Sequence, residues 1–370
     1  MVVVEVEVGT LITPWGVREN EVLEVAGSGS IYGETAITPG FSDAHAHPQV
    51  VDVGVGRWRN AYEWIGGRKL RIDEASLRAD TELSSRLAAA AMLEALLEGV
   101  TLMALVGSAE ANVRAYRRLP VKPRLVVMPT VMDVSWGWPS THGALNLVVS
   151  LAALDGRITL GIFIHSLRFA TRESLKMAYE LSQRSGIPLG IHLSEGVDEL
   201  PKLAEVLGLR EGEDSGIIAV HCIEGSGYRR YGIRVVHCPS SNLRLYGRTV
   251  NDLDLVDALG SDWPLLLGSS LSSYRRAVEV HGRARAWKLI QKATVGGYEV
   301  YGIHDWKGDV AIFDEPLSRV LEGACRPRFV AVNGKLVVEE GELVEVGLGE
   351  REVRRLIKRL IGEALERHSA

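Results

Sequence analysis

The sequence is poor in cysteine, since its 370 residues include three, Cys222, Cys238 and Cys325, which are scattered along the chain. An odd, scattered set predicts no disulfide framework, so we expect a reducing compartment, the cytoplasm. No apolar run reaches the ~20 residues that a membrane-spanning helix needs. The first residues alternate valine with glutamate and do not resemble a signal peptide. We therefore expect no membrane partner.

The sequence also lacks a strong excess of either charge. It has 42 Lys and Arg against 47 Asp and Glu, a net charge of −5, which argues against a nucleic-acid partner. No Gly-rich phosphate loop, Walker motif or tandem repeat is evident. The hydrophobic content of 46% is ordinary for a globular enzyme. The length suits one large domain with a smaller appendage, and the expected partner is a small molecule.

Histidines at the ends of apolar runs are the main signal in the sequence. His45 and His47 close the first such run, and His192, His221 and His237 close three later ones. Side chains two apart on a strand point to the same face, so His45 and His47 can approach one metal ion together. In a (β/α)8 barrel the carboxyl ends of all strands meet at the face where active sites form.

The pattern of apolar segments predicts the fold class. Eight segments are read as strands, namely residues 37–45, 100–106, 124–131, 158–164, 187–192, 217–221, 233–237 and 264–268. Helical patterns separate several of them, at residues 84–98, 172–184 and 277–292. Alternating strands and helices predict a parallel sheet, and eight units predict a closed α/β barrel, the (β/α)8 or TIM barrel.

The two ends of the chain predict a second, smaller unit. Residues 1–37 and 308–345 read as short strands, with a hairpin signal at Asn333-Gly334. We expect these segments to form one β-sandwich, with the barrel inserted as residues 38–307. Residues 346–370 contain an amphipathic helix that we expect to pack on its own barrel. A contact in a homo-oligomer is the alternative.

Four strings carry a resemblance to a known family. They are PGFSDAHAH from Pro39, IHLSEG from Ile191, AVHC from Ala219 and VVHCPSSNLRLYG from Val235. They resemble the amidohydrolase superfamily, and most closely its cytosine deaminase, S-adenosylhomocysteine deaminase and triazine hydrolase branch. The resemblance covers residues from about 36 to 314. It implies a TIM barrel flanked by a sandwich built from both termini.

The resemblance also implies roles for the histidines and for one glutamate. His45, His47 and His192 would hold one divalent metal, zinc or iron, both of which suit nitrogen ligands. His221 would contact the substrate and the attacking water or serve as a further ligand. Glu195 would move a proton between water and a ring nitrogen. The alternative for Glu195 is a first-turn helix acid favoured by the helix dipole.

Other residues are candidates for substrate binding. Trp58 lies in the loop after the first strand, and Trp136 lies in the loop after the third. Both could stack on a planar ring, or they could only cover the end of the barrel. His237, in the string HCPSSN, is assigned to substrate binding as well.

One part of the family pattern is missing from the expected position. The eighth strand of the family ends in Gly-Thr-Asp or Gly-Ser-Asp, and that Asp binds the metal and accepts a proton from water. With strand eight at residues 264–268, Ser270 occupies the lost ligand position, or Ser269 does if the register shifts by one residue. Asp262 precedes this strand and is expected at the opposite end of the barrel. His165 follows strand four and is either a replacement ligand or a packed strand-end residue.

Two functions follow from these expectations. The first is a metal-dependent, deaminase-like hydrolase that acts on a C–N bond of a cyclic amidine or amide. The second is a degenerate homologue that binds a small molecule or acts as a scaffold, with its metal weakly bound or absent. The histidines and Glu195 favour the first function, and Ser270 favours the second.

Overall fold

The computed structural model describes residues 3–13, 16–26, 36–134, 140–152 and 158–370. The strands in these ranges are β1 (Val3–Thr13), β2 (Gly16–Ala26), β3 (Ala36–Pro39), β4 (Phe41–Ala46), β5 (Val100–Leu105), β6 (Arg124–Val127), β7 (Thr130–Val131), β8 (Ile158–Leu160), β9 (Ile162–Ile164), β10 (Leu189–Leu193), β11 (Ile217–His221), β12 (Arg234–His237), β13 (Ala258–Leu259), β14 (Val310–Phe313), β15 (Phe329–Val332), β16 (Lys335–Glu339), β17 (Glu342–Leu343) and β18 (Leu348–Gly349). The α-helices are α1 (Ala61–Gly67), α2 (Glu74–Ala79), α3 (Thr81–Leu97), α4 (Ala109–Arg118), α5 (Thr141–Ala152), α6 (Arg172–Ser185), α7 (Leu200–Leu207), α8 (Pro239–Tyr246), α9 (Pro264–Leu267), α10 (Ser270–His281), α11 (Ala286–Ala293), α12 (Val295–Val300), α13 (Leu317–Leu321) and α14 (Glu350–Arg367).

Strands from both ends of the chain share one sheet. Its order is β15-β14-β3-β1-β2-β16-β17-β18, and β15 also pairs with β16. The turn between β15 and β16 has positive φ at Asn333 (53°) and Gly334 (71°), as a two-residue type I′ hairpin requires. The predicted hairpin is therefore confirmed. The division into domains at residues 37, 308 and 345 stays a prediction.

The central part of the chain forms two parallel sheets. One has the order β4-β5-β6-β8, and the other has the order β13-β12-β11-β10-β9-β7. Strand β6 pairs with β8 in the first sheet, and the strands that follow them, β7 and β9, pair in the second sheet. The chain therefore passes from one sheet to the other at this side. A parallel bridge between Ala46 and Asp262 links them at the other. The predicted α/β class with parallel sheets is confirmed.

Seven of the eight predicted strands coincide with observed strands, and the eighth is wrong. Residues 264–267 form helix α9, and the strand that pairs with β12 is β13, through Val236 with Ala258 and His237 with Leu259. Pro264 lies at the first turn of α9. Proline is favoured there because its missing N–H would have no partner and its φ is already helical.

The predicted helices are largely confirmed, with one division. The segment 277–292 is divided because α10 ends at Gly282, whose φ is 87°, and a new helix begins at Ala286. The C-terminal helix α14 packs on α3 of the same chain, where Arg86 and Glu363 form an ion pair of 2.8 Å. Among the described residues, no helix is both long enough and apolar enough to cross a bilayer.

An apolar cluster lies among the parallel strands. Alternate residues of these strands contribute its buried side chains, which include Ala44, Leu102, Ala104, Val126, Met128, Phe163, Ile218, Val220, Val236, Cys238 and Ala258. Phe163 stacks on the imidazole of His45, with ring centroids 5.2 Å apart. The cluster is therefore an apolar layer beneath the strand ends, and it packs against His45.

Candidate metal centre and active site

Four ligand-type side chains converge at the carboxyl ends of the parallel strands. His45, His192, His221 and Asp262 are all buried, and one ligand atom from each lies within 4.8 Å of the others. They come from β4, β10, β11 and the residues after β13. His47 stands beside the group, with its Nε2 3.2 Å from Nε2 of His192.

The spacing of these atoms suits a tetrahedral cation. Nε2 of His45 lies 3.1 Å from Nε2 of His192. Oδ1 of Asp262 lies 3.6 Å from Nε2 of His45 and 3.7 Å from Nε2 of His47. Ligands held at about 2.0–2.1 Å in a tetrahedron around zinc lie roughly 3.3 Å from one another. The three imidazoles and the carboxylate therefore fit a divalent metal such as zinc.

The charge states of these groups also suit a cation. Burial lowers the pKa of His45, His47 and His192, so their rings are neutral near pH 7 and have nitrogen lone pairs free to bind. Burial also acts to raise the pKa of Asp262. The imidazole of His45, 3.6 Å away, and the other nearby imidazoles outweigh that effect and hold the pKa below its usual value. The site combines neutral nitrogen donors with one carboxylate anion.

A proton-carrying group lies next to this cluster. Oε2 of Glu195 is 3.8 Å from Nε2 of His221 and accepts a hydrogen bond of 2.8 Å from the hydroxyl of Tyr246. Burial raises the pKa of Glu195, against the opposing effects of His221 and Tyr246. A carboxyl with a raised pKa can hold a proton closer to neutral pH and pass it to a bound molecule.

The backbone at these strand ends adopts a conformation that non-glycine residues rarely take. Ser194, His221 and Asp262 have φ values of 56°, 76° and 64°. Such residues cost of order 1–3 kcal/mol each and persist where the surrounding structure holds them. At Asp262 the holding contacts are two backbone bonds to β4, from His47 N to Asp262 O (2.6 Å) and from Asp262 N to His45 O (2.9 Å).

A buried carboxyl group fixes the residue before Asp262. Oδ1 of Asp43 accepts a hydrogen bond of 2.8 Å from the backbone N–H of Ser261. Asp43 is fully buried, and burial raises its pKa to about 7. The string from Asp43 to His47 thus supplies two imidazoles and also orients the loop that carries the carboxylate.

Aromatic and charged side chains form the wall of the pocket above the cluster. Trp64 and Trp263 both line it, with ring centroids 5.6 Å apart. Arg68 lies over the Trp64 ring at 4.6 Å and pairs with Glu74 at 2.7 Å. His165 lines the same pocket, and burial with nearby positive charge lowers its pKa to about 3.

Helix α1 is fastened beside the mouth of this pocket. The backbone N–H of Ala61 donates to the carbonyl of Glu195 at 3.0 Å, and the Tyr62 hydroxyl donates to Glu199. Gly196 allows this approach, since a Cβ there would lie 2.3 Å from the carbonyl oxygen of Arg59 and its φ is 90°. The position admits glycine alone without rearrangement.

The structure brings together the five residues predicted to act at the metal. His45, His47, His192, Glu195 and His221 all meet in one place. Their individual roles stay predictions.

Asp262 is the residue that the sequence interpretation missed, and its expected place at the opposite end is wrong. The signal was present, since Gly260-Ser261-Asp262 follows β13. Ser270, the expected lost ligand position, lies instead in the first turn of α10, and its hydroxyl donates to the carbonyl of Ser42 at 2.7 Å.

The candidates for substrate binding differ from the observed pocket wall. Trp58 is half-buried and packs in a cluster with Trp64 and Trp263, but it does not line the pocket. His237 is fully buried behind the site, with Nδ1 3.5 Å from Oγ1 of Thr249, and does not line the pocket either. Trp136 lies outside the described residues.

Comparisons with known proteins agree with this geometry. The model of the amidohydrolase family matches residues 36–315. A 5-methylthioadenosine/S-adenosylhomocysteine deaminase of Natronomonas pharaonis is 24% identical, over 96% of this chain and 97% of its own.

Solved structures share the fold. An adenosine deaminase of Xanthomonas campestris with bound zinc superimposes with a TM-score of 0.79 at 18% identity, over 98% of both chains. Atrazine chlorohydrolase of Arthrobacter aurescens, complexed with zinc, gives a TM-score of 0.76 at 16% identity, over 97% of this chain and 100% of its own. The family match, the named relatives and the buried cluster together support a metal-dependent, deaminase-like hydrolase.

Proposed function

The chain belongs to the amidohydrolase family, and from this premise we propose that it hydrolyses the C–N bond of a cyclic amidine with one bound divalent metal, zinc. The observation that carries the proposal is the convergence of His45, His192, His221 and Asp262 within 4.8 Å. Glu195 lies beside them, 3.8 Å from His221.

Four residues would hold the metal in this proposal. They are His45, His47 and His192 as neutral nitrogen donors and Asp262 as the anionic donor. A bound zinc lowers the pKa of water to roughly 7 and so supplies a hydroxide nucleophile at neutral pH.

The residues of this chain would then move protons and orient the substrate. Glu195 protonates a ring nitrogen of the substrate, because burial keeps a proton on its carboxyl nearer to neutral pH. His221 faces Glu195 through Nε2 and orients the attacking water. Asp262 is ionised at the start, accepts the first proton of the attacking water and passes it to the departing amine. Glu195 regains its proton from the hydroxyl group left on the ring carbon. Overall, water replaces the exocyclic amine, the ring carbon gains a carbonyl and ammonia leaves.

The substrate class follows from the relatives and from the pocket wall. The names of the relatives include thioether adenosine nucleosides, and a structural neighbour is an adenosine deaminase. Trp64 and Trp263 offer aromatic faces on which a planar ring can pack. We therefore place 6-aminopurine nucleosides first among the substrates to test.

Two finer points of architecture belong to the same proposal. In this proposal the parallel strands close into an eight-unit barrel, and the bridge between Ala46 and Asp262 supports that closure. The terminal strands form a small sandwich beside it, within the family arrangement. The alternative function, a degenerate homologue without ordinary catalysis, was based on the absence of a carboxylate at the metal site. Asp262 supplies that carboxylate, so the reason for the alternative no longer holds.

The test measures metal content and ammonia release on the same preparations. The protein is stripped of metal, reloaded with zinc and assayed with adenosine, 5-methylthioadenosine and S-adenosylhomocysteine. Glu195→Gln is the active-site variant, and Glu205→Gln, exposed on α7, is the matched control.

We expect about one zinc per chain in all three proteins and turnover of at least one nucleoside by the wild type. General acid–base catalysis typically contributes 10²–10⁴-fold, so Glu195→Gln should lose roughly that much of kcat while it keeps its zinc. Failure of the wild type to bind zinc under any loading condition would refute the metal-dependent proposal. Full activity of Glu195→Gln would refute the role of Glu195.

A further inference from the structure

The string from His237 to Asn242 lies close to the active site, yet none of its residues lines the pocket. It contains β12's last residue and the first turn of α8. One side chain in it, Asn242, contacts a residue of the site directly.

The two ring nitrogens of His221 have different neighbours. Nδ1 lies 2.8 Å from Oδ1 of Asn242. Nε2 points the other way, 3.8 Å from Oε2 of Glu195. The ring therefore bridges the active site and the polar residues behind it.

The amide of Asn242 is itself held in place. Its orientation, assigned from its partners, lets Nδ2 donate to Oγ1 of Thr249 at 3.0 Å. Asn242 is fully buried, and Thr249 and His221 are nearly so. Water therefore does not compete for these hydrogen bonds.

An amide oxygen can only accept a hydrogen bond, so Nδ1 of His221 must carry the proton. A neutral imidazole has one N–H, and its position is set by the hydrogen bond that the ring makes behind the site. In the neutral ring, Nε2 is the nitrogen without a proton, and it faces Glu195.

The backbone at His221 increases the need for such a contact. His221 and Cys222 have φ values of 76° and 46°, both in the left-handed region. Strand β11 ends at His221, and at this point the imidazole contacts Asn242.

We infer that Asn242 is a positioning residue that fixes the Nδ1–H tautomer of His221 and so presents a bare Nε2 to the active site. The catalytic consequence rests on the proposed function, whereas the tautomer itself does not. This inference accounts for the asparagine at the end of the string HCPSSN.

The experiment observes the tautomer directly in the metal-free protein. Long-range ¹H–¹⁵N NMR spectra of histidine-labelled protein distinguish the two nitrogens, and His221→Gln identifies the signals of His221. Two variants follow, Asn242→Leu, which removes the acceptor at similar volume, and Asn242→Asp, which keeps it. Ser241→Ala, in the same helix turn, is the control, because the Ser241 hydroxyl contacts the carbonyl of Cys238 instead.

We expect the Nδ1–H form in the wild type, in Ser241→Ala and in Asn242→Asp, and a mixture of tautomers in Asn242→Leu. On zinc-loaded protein, Asn242→Leu should lower kcat by about 10- to 100-fold, as is typical when an outer partner of a catalytic histidine is lost. Its KM and zinc content should stay near those of the wild type.

Several results would overturn the inference. An Nε2–H tautomer in the wild type would show that the asparagine donates instead of accepting, and it would do so even if Asn242→Leu failed to fold. An unchanged tautomer in Asn242→Leu would show that another contact fixes the ring. Absence of turnover in the wild type would count against the proposed function alone, because the spectra require no activity.

Discussion

Replacement of Asp262 by Asn is the sharpest test of the metal centre. The change keeps the size of the side chain but removes the only carboxylate in the group of His45, His192, His221 and Asp262. It also turns an acceptor into an amide, one of whose ends donates hydrogen bonds. Nε2 of His45 and of His47 lie 3.6 and 3.7 Å from Oδ1 of Asp262.

A lower limit can be given for the expected loss of zinc affinity in Asp262→Asn. Loss of an outer partner of a metal ligand typically costs 10–100-fold in metal affinity. Asp262 is itself within reach of the ion and is the sole anionic donor, so we expect at least about 100-fold weaker zinc binding. That factor corresponds to about 2.7 kcal/mol.

Zinc competition against a chromophoric chelator measures the affinity, and thermal unfolding with and without zinc provides a second readout. At equal zinc concentration, the zinc-dependent stabilisation of Asp262→Asn should be smaller than that of the wild type by about 2.7 kcal/mol. Ser270→Ala is the matched control and should bind zinc as the wild type does. Equal zinc affinity in Asp262→Asn and the wild type would show that this carboxylate is not a ligand.

Three further predictions follow from buried positions near the site. Ser270→Asp should not tighten zinc binding. It should destabilise the fold by several kcal/mol, because the new charge would lie buried against the carbonyl of Ser42. Urea unfolding measures this loss, and an unfolding midpoint equal to that of the wild type would contradict the prediction. Burial raises the pKa of Asp43 to about 7 in the folded protein. The unfolded chain therefore loses this proton at a lower pH than the folded protein does. The free energy of unfolding should fall as the pH rises between roughly pH 4 and pH 7, by up to about 4 kcal/mol. Metal-free Asp43→Asn should therefore gain stability relative to the wild type across that interval, and a pH-independent difference between the two urea titrations would refute this reasoning. Gly196→Ala should lower the melting temperature and loosen α1, because the new Cβ would lie 2.3 Å from the carbonyl oxygen of Arg59. The expected cost is roughly 1–3 kcal/mol. An unchanged melting temperature and unchanged hydrogen exchange at Ala61 would count against this prediction.

The sequence predicted the parts of the fold that periodicity and turn chemistry determine. Apolar runs that end in His192 and His221 are β10 and β11, and Asn333-Gly334 forms the expected hairpin. His45 and His47 meet the later histidines because parallel strands end at one edge, which follows from topology alone.

The eighth strand could not be located by the same signal. It has two residues, Ala258 and Leu259, whereas the stronger apolar run at Pro264–Leu267 is a helix. A short strand is defined by its neighbours, here β12 and the bridge to β4, and not by its own periodicity. The position of Asp262 therefore depended on tertiary pairing.

Which aromatic side chains line the pocket depends on tertiary contacts for a related reason. Trp58 lies in the loop before α1 and Trp64 lies within α1, and the sequence does not indicate which of them turns toward the ligands. Helix α1 makes the choice, since it places Trp64 on the pocket side, where the indole N–H donates to the carbonyl of Val53 at 3.0 Å. A strand-end histidine can face the mouth of the pocket or the layer behind it, and His237 lies buried in that layer. Its role in substrate binding stays a prediction.

The shared terminal sheet has a consequence for the order in which the chain is made and folded. Strand β3 pairs with β14 through Ala36 to Pro39, so a strand synthesised early acquires one neighbour only after most of the chain has left the ribosome. Contacts between distant parts of a chain form slowly because the loop between them must first close. The parallel strands can assemble beforehand, and β1 can pair with β2 and β3, whereas the outer edges of β2 and β3 wait for β16 and β14. Loss of β14 or β16 should therefore leave an edge of the early strands unpaired and prone to association with other chains.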